Sequence, residues 1–210
     1  MKTIVIFDMD GTLIDSKKDI TISINHIREN RYKLPPLDEA FVVDAINMQV
    51  RNLPKLFYGT EEYLEEDRSL FEEHYEKQCT QNPYLYDEIL ETLKSLQSLN
   101  VKLSVATNAP TIFAKMMLSH LGVFHMFDVI IGADKVSASK PSPAMIHKIL
   151  EFYEYDANYD KAWMVGDNSK DMESAKNANI DSLFATWGFS PNSDFKMLVT
   201  TPKEILNIVL

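Results

Sequence analysis

Two pairs of aspartates stand directly after short apolar runs at distant points of the chain. Asp8 and Asp10 follow the first run and precede Gly11, whereas Asp167 and Asp171 follow a later run. Asp and Gly are ordinary turn residues, so one such pair alone has a plain structural explanation. Four carboxylates in one crevice, however, repel one another and raise each other's pKa unless a cation lies among them. Oxygen ligands suit Mg²⁺, and no His or Cys nearby suggests zinc, so the pairs predict a magnesium site.

Three further residues carry the donors that a phosphate group needs. Thr107 and Asn108 close another apolar run with a hydroxyl and an amide, and Lys140 precedes a predicted helix. Taken singly, Thr-Asn is more often a turn or a helix cap, and a lone Lys is more often solvated. Their order along the chain and their positions at the ends of apolar runs together indicate a phosphate-binding site.

The alternation of apolar runs with helical spacing predicts the scaffold that holds these residues. Strands are predicted at residues 3–8, 101–107, 129–132, 162–166 and 181–185, with helices between them from residue 83 onwards. This order predicts an α/β fold, a doubly wound, Rossmann-like parallel sheet with helices on both faces. Ligands of such sheets bind outside the carboxyl ends of the strands, where the acids lie. Gly122 and Asn179 are predicted to end helices in the left-handed conformation.

The segment after the first strand has helical spacing only. Helices are predicted near residues 17–30, 37–52 and 61–78, with breaks at Pro35-Pro36 and Pro54, and no convincing strand occurs there. We therefore predict a core domain of residues 1–15 and 82–210. Residues 16–81 would form a small helical cap inserted into it.

Length and charge limit the class of partner. A chain of 210 residues has room for one substantial core and a smaller insertion. Its net charge of −10 argues against nonspecific binding to nucleic acid or anionic membranes, which needs clustered Lys and Arg. The first apolar run is too short for a signal peptide core or a membrane span. We expect a cytoplasmic monomer or homodimer that binds a small phosphorylated metabolite, with neither nucleic acid nor membrane as partner.

On these motifs the sequence resembles the haloacid dehalogenase superfamily of phosphohydrolases. The resemblance spans nearly the whole chain, and the helical insertion looks like that superfamily's small cap. The four motifs fall on Asp8-Met9-Asp10-Gly11-Thr12, Thr107, Lys140, and Gly166-Asp167 with Asp171. Residues 8–16, Thr107-Asn108 and Thr186-Trp187-Gly188-Phe189 are similar to the phosphoglycolate phosphatase group. Ala109 departs from that group, which often has Lys there, and so removes a positive charge near the substrate.

The resemblance implies hydrolysis of a small phosphate monoester, with phosphoglycolate as the first candidate, through an aspartyl-phosphate on Asp8. Asp10 is then the acid that protonates the leaving oxygen and the base that activates water. Magnesium is expected on the Asp8 carboxylate, the Asp10 main-chain carbonyl and Asp167. Asp171 would orient water or Lys140 from outside the coordination shell.

Phosphate binding and specificity are implied at two separate places. Phosphate-binding roles fall on four residues: Thr107, Asn108, Lys140 and, through its main-chain amide, Gly11. The leaving group should be recognised by the cap, because the core motifs serve phosphate, metal and proton transfer. We hypothesise that Arg51, helped by Asn47 or Gln49, binds an anionic or hydroxylated part of the leaving group; the alternative is a solvated Arg on a helix face.

Other activities use the same residue types. A phosphomutase acting on a sugar phosphate and a pyrophosphatase are alternatives within the superfamily. A dehalogenase is disfavoured by Asp10, since halide needs no leaving-group acid. The non-enzymatic alternative is a phosphoacceptor signalling module, which also uses Asp, Mg²⁺, Thr and Lys. Such modules lack a large helical insertion after the first strand, and their phosphorylated Asp follows a later strand.

Overall fold

The structure, a computed structural model, describes residues 1–48, 52–190 and 194–210. The chain divides into two compact units. One contains residues 1–15 and 85–210, and we call it the core unit. The other contains residues 16–84, and we call it the helical unit.

The core unit is built on a parallel six-stranded sheet. The strands found in the described residues are β1 (Thr3–Phe7), β2 (Ile14–Asp15), β3 (Tyr84–Leu85), β4 (Lys102–Thr107), β5 (Val129–Gly132), β6 (Lys161–Gly166), β7 (Asp181–Ala185) and β8 (Leu198–Val199). The order in the large sheet is β5-β4-β1-β6-β7-β8, and each neighbouring pair is parallel. The predicted α/β fold with a doubly wound sheet is confirmed.

Helices cover the sheet because its central strand is apolar on both faces. The helices are α1 (Lys17–Ile27), α2 (Glu39–Asn47), α3 (Leu53–Tyr58), α4 (Glu65–Gln78), α5 (Ile89–Ser98), α6 (Thr111–His120), α7 (Ala144–Phe152), α8 (Ser169–Asn177) and α9 (Glu204–Val209). Ile4 and Ile6 of β1 pack in one cluster with residues of α7 and α8. Val5 and Phe7 point to the opposite face by strand alternation and are equally inaccessible. Burial on both faces explains why β1 is a continuous apolar run.

Two predicted helix ends are confirmed, and the short strands were missed. Gly122 has a φ of 74° and Asn179 a φ of 56°, the left-handed conformation that ends a helix. The two-residue strands β2, β3 and β8 were not predicted, because two residues are too few to show an alternating pattern.

The helical unit contains α1 to α4 and a short π-helical turn at Arg28–Tyr32. Its core is an apolar cluster drawn from α1, α2 and α3: Ile24, Ile27, Val42, Ala45, Phe57 and Tyr58. The predicted helix at 37–52 was too long, since α2 ends at Asn47. Pro54, predicted as a break between helices, lies in the first turn of α3. Main-chain N–H groups of a first turn have no partner within the helix, so a proline there costs no helical hydrogen bond. Among the described residues, no helix combines the length and apolar character needed to cross a membrane.

Candidate active site

Three neighbouring strands bring the predicted site residues to one edge of the sheet. Asp8 follows β1, Thr107 ends β4, and Asp167 follows β6. These strands are adjacent in the order β4-β1-β6, and Phe7 is in register with both Val105 and Val165. The parallel ladder therefore sets the three residues side by side at the carboxyl edge, where ligands of such sheets bind.

Three carboxylates are gathered there and shielded from solvent. Asp8, Asp167 and Asp171 each offer an oxygen, and these atoms all lie within 4.8 Å of one another. Their exposed fractions are 8%, 1% and 1%. Asp10 is half-buried and lies outside this group of side chains, which is compatible with the predicted role of its main-chain carbonyl.

Lys140 compensates part of this negative charge. Its ammonium Nζ donates to Asp8 Oδ1 at 2.6 Å, to Asp171 Oδ1 at 2.6 Å and to the Ala106 carbonyl at 2.7 Å. Burial lowers the pKa of Lys140, but the carboxylates of Asp171 and Asp8 outweigh burial and raise it above its ordinary value. Lys140 is therefore a fixed cation with all three N–H groups engaged.

Asp171 is held entirely by the protein. Its Oδ1 accepts from Lys140, and its Oδ2 accepts from the Asn168 main-chain N–H at 3.1 Å. Asn168 in turn caps α8 by accepting from the Lys170 N–H at 3.1 Å. Burial raises the pKa of Asp171 to about 6, with Lys140 opposing that rise. Both oxygens are engaged, so Asp171 is suited to orient Lys140.

Asp167 is the carboxylate of this group that has no cationic partner in residues 1–48, 52–190 and 194–210. Among the described residues its partners are neutral: Thr12 Oγ1 donates to Oδ1 at 3.2 Å, and the Phe189 N–H donates to Oδ2 at 2.7 Å. Burial, followed by the charges of Asp8 and Asp171, raises the pKa of Asp167 well above its ordinary value. A buried, uncompensated carboxylate beside Asp8 fits a hard divalent cation such as Mg²⁺.

The two residues at the end of β4 have different surroundings. Thr107 is buried, and its hydroxyl accepts from the Ala109 N–H at 3.1 Å, which leaves the hydroxyl proton for another acceptor. The Asn108 side chain instead pairs with the main chain of Lys140: Nδ2 donates to the carbonyl at 3.1 Å, and Oδ1 accepts from the N–H at 2.9 Å. Asn108 thus fixes the segment that carries Lys140, a task that the sequence did not reveal.

Gly11 is required by the close approach of the first motif to Asp167. It has a φ of 88°, and a Cβ added to it would overlap the Asp167 carboxylate. Its main-chain N–H donates to the Ile14 carbonyl at 2.9 Å, which closes the turn after β1. The glycine therefore holds the first and last motifs together.

The residues proposed from the cap are only partly described. Asn47 is the last residue of α2. Gln49 and Arg51 lie outside the described residues. Conversely, Thr12 and the Phe189 N–H contact Asp167, and neither contact was predicted, although both residues lie in segments that resemble the phosphoglycolate phosphatase group.

Acids, a lysine and a hydroxyl at the carboxyl edge of a doubly wound sheet define a hydrolase of the haloacid dehalogenase type. The family model described as haloacid dehalogenase-like hydrolase matches residues 5–185. The chain therefore belongs to the haloacid dehalogenase-like hydrolase family, which confirms the resemblance.

Relatives narrow the similarity to phosphatases. A protein of Colwellia psychrerythraea named phosphoglycolate phosphatase is 31% identical, over 92% of this chain and 88% of its own length. A Pseudomonas aeruginosa protein named N-acetylmuramic acid 6-phosphate phosphatase is 27% identical, over 98% of this chain and 93% of its own length. The crystal structure of a predicted phosphoglycolate phosphatase from Haemophilus somnus has the same fold, with a TM-score of 0.84 and 24% identity. That match covers 100% of this chain and 98% of the other.

Proposed function

We propose that this chain is a Mg²⁺-dependent phosphatase that hydrolyses a small phosphate monoester through an aspartyl-phosphate on Asp8. The observation that carries the proposal is the charge pattern around Asp8. One oxygen of Asp8 is fixed by Lys140 at 2.6 Å, and the buried Asp167 close by has only neutral donors in the part of the chain that the structure describes. A fixed carboxylate nucleophile beside a cation site is the arrangement that phosphoryl transfer needs.

The metal site follows from the donors that remain. Magnesium would be held by the Asp8 carboxylate, the Asp10 main-chain carbonyl and Asp167, all hard oxygen donors. When bound, Mg²⁺ supplies electrostatic stabilisation of the charge on the phosphoryl oxygens. Asp171 is outside this set, because its Oδ1 is ion-paired with Lys140 and its Oδ2 accepts from the Asn168 N–H, whereas the donors to Asp167 among the described residues are neutral.

In the first step, an oxygen of Asp8 attacks phosphorus while the bond between phosphorus and the ester oxygen breaks. Protonated Asp10 gives its proton to that oxygen, so the leaving group departs as a neutral alcohol. Lys140 donates to Asp8 Oδ1 at 2.6 Å and so fixes the orientation of the attacking carboxylate.

In the second step, water regenerates the enzyme. Asp10, now a carboxylate, takes a proton from water as the water oxygen attacks phosphorus. The bond between phosphorus and the Asp8 oxygen breaks, and inorganic phosphate leaves. Asp8 is again a carboxylate and Asp10 is again protonated, so the cycle is balanced.

The phosphoryl oxygens would be bound by the hydroxyl proton of Thr107 and by Lys140. The Gly11 amide, expected from the sequence to bind phosphate, instead donates to the Ile14 carbonyl at 2.9 Å and is left out of the proposal. Lys140 supplies charge, and Asn108 contributes by holding Lys140 through its main chain. This refines the expectation that the Asn108 side chain itself binds phosphate.

The experiment is a panel of phosphate esters assayed with Mg²⁺ and with EDTA. Phosphoglycolate and N-acetylmuramic acid 6-phosphate are tested first, because relatives of this chain are named as phosphatases of these two esters. We expect Mg²⁺-dependent release of inorganic phosphate from at least one ester and none in EDTA.

The same panel separates the alternatives. Glucose 1-phosphate converted to an isomer would indicate a mutase, and selective cleavage of pyrophosphate would indicate a pyrophosphatase. A persistent phosphoprotein without turnover would support a signalling module. Full activity in excess EDTA would contradict the proposed role of the metal.

A further inference from the structure

We propose that Trp187, Gly188 and Phe189, in the turn after β7, form a positioning device for the magnesium ligand Asp167. We call these three residues the β7 turn. The inference rests on the proposed function, because it assigns the β7 turn a purpose in metal binding. None of the three residues offers a side-chain oxygen, so they act through Asp167.

The turn contacts Asp167 directly and through Thr12. The Phe189 N–H donates to Asp167 Oδ2 at 2.7 Å, while the Trp187 indole Nε1 donates to the Thr12 carbonyl at 3.0 Å. Thr12 then donates through its hydroxyl to Asp167 Oδ1 at 3.2 Å. The hydrogen bonds therefore form a closed circuit in which both oxygens of Asp167 are reached from the β7 turn.

Gly188 allows this circuit to close. A Cβ added to Gly188 would overlap the Gly11 carbonyl oxygen and the Cβ of Asp167, both main-chain or rigid neighbours. Only a glycine lets the β7 turn lie against the first motif and the metal ligand at once. The turn is therefore packed on the two segments that supply the proposed metal ligands.

The donors in this circuit are neutral, so they set the direction of Asp167 without cancelling its charge. Lys140, by contrast, compensates the charge of Asp8 and Asp171. Neutral donors leave the charge of the Asp167 carboxylate to be compensated by a bound cation, while both of its oxygens keep a fixed orientation. Groups that orient a metal-binding carboxylate in this way commonly affect metal affinity about 10- to 100-fold.

The chain contains its own matched control, since its second tryptophan lacks such a contact. Trp163 lies in β6 and is buried, and its indole Nε1 has no hydrogen-bond partner among the described residues. Changing either tryptophan to Phe removes an indole N–H and keeps an aromatic ring. Only Trp187→Phe removes a contact to the first motif.

The test is Mg²⁺ binding to the full-length protein, measured by isothermal titration calorimetry without substrate, for wild type, Trp187→Phe and Trp163→Phe. We expect Trp187→Phe to weaken Mg²⁺ binding about 10-fold and Trp163→Phe to leave it within about twofold. In phosphatase assays, Trp187→Phe should need more Mg²⁺ yet recover wild-type kcat at saturating metal, because it removes positioning and no catalytic group.

Gly188→Ala should weaken Mg²⁺ binding more than Trp187→Phe. If Gly188→Ala does not fold, as judged by circular dichroism, the Trp187→Phe comparison decides alone. Equal Mg²⁺ affinity in wild type and Trp187→Phe, or equal weakening in both tryptophan variants, would overturn the inference while leaving an active wild type intact. A wild type that neither binds Mg²⁺ nor hydrolyses any ester would overturn the proposed function as well.

Discussion

The core unit and the helical unit differ in how their buried charges are grouped. Among the described residues of the helical unit, the buried charges have separate partners: Asp19 accepts from Gln78 and Asn82, Arg28 donates to main-chain carbonyls, and Asp67 pairs with Arg31. In the core unit three carboxylates lie within 4.8 Å of one another; Lys140 pairs with Asp8 and Asp171, and Asp167 has only neutral donors among the described residues.

The difference comes from the secondary structure of the two units. Parallel strands end at a common edge, so acids from distant parts of the sequence meet there and accumulate charge. Charged residues on helices reach neighbours of their own unit and can be paired one by one. The core unit therefore carries the chemistry, and the helical unit is expected to affect recognition of the leaving group without contributing to bond breaking.

The largest effect is expected at the nucleophile. Asp8→Asn keeps the shape of the side chain but removes the attacking oxygen anion, so turnover of the best ester should fall by about 10⁵-fold or more. Phosphate release measures the loss, and a thermal melt within a few degrees of wild type shows that the fold is kept. Substantial residual turnover by this variant would exclude covalent catalysis by Asp8.

The proton donor should matter in proportion to the basicity of the leaving group. Asp10→Asn should reduce kcat about 10²- to 10⁴-fold for an alkyl phosphate, because the alkoxide needs a proton. An aryl phosphate with an acidic phenol should lose much less in the first step. Identical losses for both esters in single-turnover measurements of that step would contradict the assignment of Asp10 as the acid.

Removing the Lys140 ammonium should lower stability as well as activity. Lys140→Met leaves Asp8 and Asp171 buried without their partner, which should lower the free energy of unfolding by about 3–5 kcal/mol. Adding Asp171→Asn should restore part of that stability, because one of the two charges is then gone. Urea denaturation measures both effects, and the exposed Lys161→Met serves as control. No recovery in the double variant would show that the charge pairing is not the cause.

Removing the Asp167 carboxylate should raise the stability of the metal-free protein, whereas removing the Lys140 ammonium should lower it. Burial and neighbouring carboxylates raise the pKa of Asp167, so the folded protein holds a proton there that the unfolded chain has lost. Its contribution is therefore favourable at low pH and is lost as pH rises above about 4, the ordinary pKa of Asp. In EDTA at neutral pH, Asp167→Asn should therefore be more stable than wild type.

Two controls test whether Asp167→Asn is more stable than wild type for this reason. The stability difference between Asp167→Asn and wild type should shrink as the pH is lowered towards about 4, where both side chains are uncharged. Addition of Mg²⁺ should stabilise wild type and leave the variant unchanged. A variant that melts below wild type in EDTA at neutral pH would show that Asp167 is compensated by a group outside this account.

The smallest effect on activity is expected in the helical unit. Arg51→Ala should raise KM about 10-fold for the best anionic substrate and leave a simple aryl phosphate unaffected, because only binding of the leaving group is lost. The exposed Arg68→Ala in α4 is the matched control. Equal changes for both substrates, or none for either, would remove Arg51 from substrate recognition.

The contrast between the core unit and the helical unit also explains which parts of the structure could be predicted from the sequence. β5 and β7 lie at the predicted bounds, and Asp8, Thr107 and Asp167 stand at the ends of strands, because continuous apolar runs mark buried parallel strands. The partners of Asp167 could not be predicted, since the Phe189 main-chain N–H has no side-chain identity and the contact spans distant segments. The pairing of Asn108 with Lys140 was likewise hidden, because it uses the main chain of Lys140.

The helical unit was predicted less well for a physical reason. Its helices were recognised by spacing, but α3 was read as a break, because Pro54 is compatible both with a loop and with the first turn of a helix. Substrate recognition depends on which side chains face a ligand. Helical periodicity alone does not show which side chains do so, and the proposed contact at Arg51 remains a prediction.

The central claim is tested most directly by trapping the covalent intermediate. Wild type is acid-quenched during turnover with Mg²⁺ and the best ester, reduced with borohydride and digested with trypsin, and the peptide of residues 3–17 is sequenced by mass spectrometry. The account predicts reduction of an acyl phosphate to homoserine at position 8, with Asp10 and Asp15 unmodified and no product from Asp8→Asn. Modification at Asp10 in place of Asp8, or active turnover with no acyl phosphate at any burst time, would contradict it.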